Sequence, residues 1–135
     1  MQVTDADYEA LAAFRRGLRG FLAFSEAQAR TAGLTPQQHQ ALLAIRGRSS
    51  RTLTVGELAD DLILKPHSAL ELADRLVGAG LVNRNADPSD RRRVALTLTP
   101  RAEELLAALS AAHLAELERQ RELLGKLMDR LDGRA

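Results

Sequence analysis

The chain has 135 residues, of which 45% are apolar but only 3% aromatic, and no cysteine. That length supports one ordinary domain, or a domain with a helical extension, and excludes a large multi-site enzyme. The missing cysteine removes disulfides, thiolate metal sites and thiol redox sensing together, and a formal charge of only +1 means that any basic surface must be gathered locally.

The opening stretch MQVTDADYEALAAF lacks the basic start and apolar run of a secretory signal. No window approaches the roughly 18 apolar residues of a membrane span, so a soluble, cytoplasmic protein is expected. With few aromatics the core must be built from Leu, Ala and Val, and the first two favour helices. A first helix carries an apolar stripe of Tyr8, Leu11, Phe14, Leu18, Phe21 and Leu22. Thr35-Pro36-Gln37-Gln38 then supplies a capping hydroxyl, a proline at the first helical position and a glutamine at the third. A helix is predicted there from Pro36 to Arg46, with Leu42, Leu43 and Ile45 inward.

The loop Arg46-Gly47-Arg48-Ser49-Ser50-Arg51 is either an exposed connection or a source of phosphate contacts. Thr54-Val55-Gly56-Glu57 is a second capping box, opening a short helix with Leu58, Ala59 and Leu62 inward. KPHSALELADRLVGAG places Pro66 at a helix start, an apolar stripe through Ala69, Leu72, Ala73 and Leu76, and Gly80 just past the end. Leu81 and Val82 begin a strand, Asp87-Pro88-Ser89-Asp90 makes a turn, and Val94, Leu96 and Leu98 alternate with Ala95, Thr97 and Thr99. That pattern predicts a hairpin with one buried face.

Thr99-Pro100 opens a last helix, predicted as continuous to Leu131 and some 48 Å long at about 1.5 Å per residue. Its stripe of Leu106, Leu109, His113, Leu117, Leu124, Leu127 and Leu131 exceeds what a compact domain of this size must cover. Such arms either intertwine with those of a twofold mate or fold into an intramolecular helical hairpin.

Charge is uneven along the chain. Residues 1–62 balance at seven basic and seven acidic, residues 63–101 hold seven against four for a net +3, and residues 102–135 hold five against seven for a net −2. A basic centre between neutral and acidic arms suits a polyanionic partner. Within that centre, Thr54 to Gly80 has the layout of a helix-turn-helix, and the hairpin with Arg91, Arg92 and Arg93 at its tip follows directly. The same tip also reads as a solvated hairpin end that discourages edge pairing.

Residues 34–106 resemble the MarR family of bacterial winged-helix transcription regulators. The marks are Leu58-Ala59, Asp74-Arg75-Leu76, Gly80-Leu81-Val82 followed by Arg84, Asp90-Arg91-Arg92, and Leu98-Thr99. The resemblance implies a mainly α fold with a small β-hairpin wing. Residues 34–99 would form the DNA-binding lobe, and residues 1–33 and 100–135 the dimerisation helices. It implies a homodimer that places two recognition helices in successive major grooves of double-stranded DNA, on a pseudopalindromic operator with half-sites roughly 34–36 Å apart. Arg92 would enter the minor groove with Asp90 orienting it, and Arg91 and Arg93, alternating faces along a strand, would reach phosphates.

Lys65, Pro66, His67, Ser68, Glu71 and Arg75 form the expected recognition face, with Arg48, Ser49, Arg51 and Thr54 as candidate phosphate contacts. The helix departs from the family at Lys65, where a serine or similar cap is common, and at Leu70 and Glu71, where a Thr-Arg pair is common. Lysine cannot accept a backbone hydrogen bond, so the first N–H groups stay available to a phosphate. Glu71 either accepts from cytosine N4 or pairs with Arg75 one turn on. The resemblance further implies a small effector, often an aromatic acid or phenol, bound between the dimer helices and the lobe. Phe14, Leu18, His39, Leu42 and Arg46 are its candidate lining, with His39 either orienting an anionic ligand or standing as a partly exposed helix residue.

His39, His67 and His113 have no close metal-ligand spacing, and there is no phosphate-binding loop, dinucleotide fingerprint or nucleophile elbow. No metal, cofactor or enzymatic activity is expected. A ligand-responsive DNA-binding repressor is the leading reading, and a winged-helix protein-interaction module without specific DNA binding is the alternative.

Overall fold

Reciprocal side-chain caps and left-handed chain reversals set the helical frame. The structure, a computed structural model, describes residues 1–87 and 89–133. In chain order it contains α1 (Asp5–Thr31), α2 (Pro36–Arg46), β1 (Leu53–Thr54), α3 (Val55–Leu62), α4 (Pro66–Gly78), β2 (Val82–Ala86), β3 (Val94–Leu98), α5 (Pro100–Arg119) and α6 (Arg121–Asp132). The architecture is mainly α with a small antiparallel sheet, as the sequence predicts. The chain forms two compact units, one of Ala29–Leu109 and one of Met1–Gln28 with Ser110–Ala135.

In the first unit, Thr35 Oγ1 accepts from the Gln38 N–H at 3.1 Å and Gln38 Oε1 accepts from the Thr35 N–H at 3.0 Å. Thr54 and Glu57 repeat the pair at 3.1 and 3.0 Å. Each box satisfies two N–H groups that the helix itself leaves unpaired. At α4 the cap position holds Lys65, which makes no capping bond. That helix ends where Gly80 turns to φ +72°, its N–H reaching Val77 O and the Leu81 N–H reaching Leu76 O, both at 3.0 Å. This is the Schellman ending that Gly80 predicts. At the end of α3 the same reversal falls on Ile63, with φ 55° and the Leu64 N–H on Ala59 O at 2.9 Å.

Leu42, Ile45, Leu53, Leu58, Leu76, Leu81 and Leu96 are fully buried in this unit. Burying one such side chain stabilises by roughly 1.5–3 kcal/mol, so this cluster outweighs the exposed ion pairs around it. Ala69, Leu72, Ala73 and Leu76 form the inner face of α4 as expected. On α2 the expectation is corrected, because His39, Ala41, Leu42 and Ile45 face inward while Leu43 is 50% exposed. One residue past Leu42 is about 100° further round the helix, off the buried stripe.

The hairpin also gains a neighbour that local patterning did not predict. β1 pairs with β3 through Leu53 opposite Leu96 and Thr54 opposite Ala95, giving the order β1-β3-β2. Burial along β3 shifts accordingly: Ala95 and Leu96 are buried and Leu98 is half-buried, but Val94 is 40% exposed. Ala95 lies in the part of β3 flanked by both neighbours, whereas Val94 lies beyond the end of β1.

In the second unit, Asp7 is buried and accepts from the Thr4 N–H at 2.9 Å and from Arg130 Nε at 3.0 Å, tying the start of α1 to α6. His113 Nε2 lies 2.7 Å from Ser25 Oγ, and Phe21 and Phe24 meet its ring edge-on. The predicted single C-terminal helix is two. At Gln120 the N–H is shared between Glu116 O and Leu117 O, at 3.3 and 3.0 Å, a tightening that ends one helical ladder before α6 begins. Among the described residues no helix is long and apolar enough to cross a membrane, and no three His, Asp or Glu side chains are grouped to hold a metal ion.

Candidate nucleic-acid interface

Between β2 and β3 the described residues close the chain through backbone bonds from Asp90 N–H to Asp87 O at 3.2 Å, Arg93 N–H to Asp90 O at 3.0 Å, and Asp87 N–H to Arg93 O at 3.0 Å. Asp87 Oδ1 accepts from both the N–H and the hydroxyl of Ser89 at 3.0 Å, the local bonding that makes Asp a turn residue. The turn predicted over residues 87–90 includes Pro88, which lies outside the described residues. The arginine triplet sits within this connection, since β3 starts only at Val94. Strand alternation therefore does not separate Arg91, Arg92 and Arg93, contrary to the expectation from sequence.

Asp90 separates them instead. Its Oδ1 accepts from the Arg92 N–H at 3.0 Å and from Arg92 Nε at 3.2 Å, while Arg93 Nε stands 3.8 Å from Oδ2. These bonds from Arg92, backbone first, together with the Arg93 charge, hold the Asp90 carboxyl below its ordinary range. The Arg92 side chain is nevertheless 91% exposed. Exposed ion pairs add little stability, so what Asp90 contributes is direction: a guanidinium held at its root and presented at the tip.

On α4, Lys65, Pro66, His67, Glu71 and Arg75 are exposed and Ser68 is half-buried. His67, Glu71 and Arg75 follow one another at helical i, i+4 spacing and form one outward line. Among the described residues, the ion pairs of this unit engage neither Glu71 nor Arg75. Asp74, on the adjoining flank, pairs with Arg84 of β2 and so ties α4 to the hairpin. Past the end of α4, Arg101 Nη1 donates to Ala79 O at 2.9 Å and Thr99 Oγ1 donates to Gly80 O at 2.8 Å.

A sequence model of the MarR family matches residues 32–93. The uncharacterised HTH-type transcriptional regulator YhbI of Bacillus subtilis is 33% identical over 106 residues, covering 70% of this chain and 69% of that protein. The chain belongs to the MarR family. The HTH-type transcriptional repressor MdtR of Bacillus subtilis is 34% identical over 98 residues, or 67% of this chain and 62% of MdtR. A solved point mutant of S. aureus MepR bound to an oligodeoxyribonucleotide superposes with a TM-score of 0.70, covering 99% of this chain and 100% of that one at 19% identity. At that identity the likeness concerns the fold alone, and the fold is the winged helix-turn-helix of the MarR family.

The remaining site residues of this MarR-family transcriptional regulator divide. Arg48 Nη2 donates to both oxygens of Asp61 at 3.0 and 3.1 Å, and Nη1 lies 3.2 Å from Glu57. It is engaged within the protein, whereas the side chains of Ser49 and Arg51 are exposed. Thr54 Oγ1 is occupied as the α3 cap, and the Thr54 N–H donating to Glu57 Oε1, then the Thr54 hydroxyl, with the Arg48 charge behind them, lower the Glu57 pKa. Of the candidate ligand residues, Phe14 and Leu18 border an apolar cavity of about 220 Å³ with Phe21, Leu117 and Leu123. Leu42 is core, His39 is buried at 4% exposure rather than partly exposed, and Arg46 Nε pairs with Glu103 at 3.0 Å. Sequence reasoning passed over the pairing of Arg84 with Asp74, which joins β2 to α4.

Proposed function

We propose that this chain acts in the cytoplasm as a homodimeric, sequence-specific DNA-binding repressor, released from its operator by a small aromatic or phenolic ligand. The observation that carries the reading is the presentation of Arg92, rooted by Asp90 yet 91% exposed, on a hairpin tied to a helix whose exposed line is His67, Glu71 and Arg75. A basic finger beside an uncapped polar helix suits the simultaneous use of a minor and a major groove. The repressor role of MdtR and the DNA bound to MepR support the same reading. Exposed Tyr8, Leu11 and Leu22 on α1 and Leu114, Met128 and Leu131 on α5 and α6 offer the apolar surface that a second copy would cover. Phe14 and Leu18 are the residues best placed to line a ligand cavity.

The test is a gel-shift titration against the DNA flanking the gene. Sub-micromolar, sequence-selective binding that weakens steeply with salt is expected. Binding of equal strength on all duplexes overturns the regulator reading in favour of a nonspecific or protein-directed module.

A further inference from the structure

An apolar side chain is exposed on the helix proposed to meet DNA. α4 buries Ala69, Leu72, Ala73 and Leu76 and needs no further anchor, yet Leu70 lies on its surface at 49% exposure. It shares a helix flank with Asp74, one turn on, which Arg84 holds against the hairpin. Leu70 therefore faces the notch between α4 and the wing. With Pro66, Val55, Leu64, Arg93 and Val94 it lines a solvent-open cavity of about 670 Å³ there. Exposed Lys65 and His67 border the same end of the helix, and Arg93 closes the wing side. The notch thus has an apolar floor, with Arg93 on its wing side and the carboxylates Glu57 and Asp60 on its α3 side, and Leu70 offers a base edge only apolar contact.

We propose that Leu70 determines operator sequence by packing against the C5-methyl group of a thymine in each half-site. A leucine has no donor or acceptor and reads nothing on the hydrogen-bonding edge of a base. The thymine methyl is the one apolar projection that the four bases place in the major groove. Discrimination then rests on excluding water from Leu70, so a cytosine at that position leaves an exposed apolar side chain facing a polar edge. The inference rests on the proposed DNA-binding function, and the experiment separates the two.

After selecting a binding duplex from a randomised library, each thymine of one half-site is replaced in turn by deoxyuridine, which deletes only the methyl, and affinities are measured by fluorescence anisotropy. One thymine is expected to show a loss of about fourfold, the value for one buried methyl-sized group. The same replacement is expected to change nothing in Leu70→Ala, and Leu70→Met is expected to keep the discrimination. Leu70 being half-exposed and outside the core, both variants should retain wild-type circular dichroism. Absence of any methyl-sensitive thymine, or equal sensitivity in Leu70→Ala, overturns the inference while leaving sequence-selective binding intact. Failure of the library to yield any preferred duplex overturns the proposed function and this inference together.

Discussion

Ile63 holds a left-handed backbone that suits its side chain badly, and replacing it should stabilise the protein. It holds φ 55° and ψ 52° at the end of α3, where an L-residue brings its Cβ against the following carbonyl at a cost of about 1–2 kcal/mol. A β-branched side chain is among the worst suited. The side chain returns almost nothing, being 92% exposed, so its remaining burial contributes only about 0.2 kcal/mol. Asparagine tolerates the left-handed region without loosening the unfolded chain, so Ile63→Asn should gain about 1 kcal/mol. Ile63→Gly removes the strain completely but adds freedom to the unfolded state, which offsets about 0.5–1 kcal/mol of the gain. The expected order of stability is Asn, then Gly, then Ile. Urea denaturation at one fixed protein concentration measures it, and the Asn variant should melt roughly 3–5 °C higher. If Asn is no more stable than Ile, the backbone strain assigned to this reversal is wrong.

Two further predictions concern charge. Glu57 has its pKa lowered by its bonds to Thr54, so its stabilising contribution is complete above its ordinary value of 4.5 and is lost as the pH falls through the depressed value. Glu57→Gln keeps an acceptor for the capping box, and its urea midpoint should therefore fall less than that of the wild type between about pH 6 and pH 3.5; parallel falls would show that the charge is not coupled to folding. Arg92→Ala should weaken operator binding by about 1–3 kcal/mol with the oligomeric state unchanged by light scattering, and an unchanged affinity would remove the wing from the interface.

The fold was most legible where its cause is local. Thr35 with Gln38, Thr54 with Glu57, and Gly80 after an apolar stripe each act over three to five positions, and each appears in the structure as read. Asp90 beside Arg92 belongs to the same kind, an interaction two residues apart. What escaped depends on partners far along the chain. The pairing of β1 with β3 exchanged the expected exposures of Val94 and Ala95, and Arg48 was committed to Asp61 by the way α3 folds back past its loop. Leu43 was misplaced for a different reason: five consecutive apolar residues, Ala41 to Ile45, leave the phase of a short helix ambiguous. The reversal at Ile63 carried no signal because neither glycine nor asparagine marks it.

The bond from Asp74 to Arg84 joins α4 to the hairpin on one flank, while Thr99 and Arg101 hold the carbonyls beyond its C-terminus. Helix and hairpin consequently share a contact that sets the spacing between them. If the lobe meets DNA as proposed, an operator half-site has to fit both elements at once, at the spacing that this bond sets.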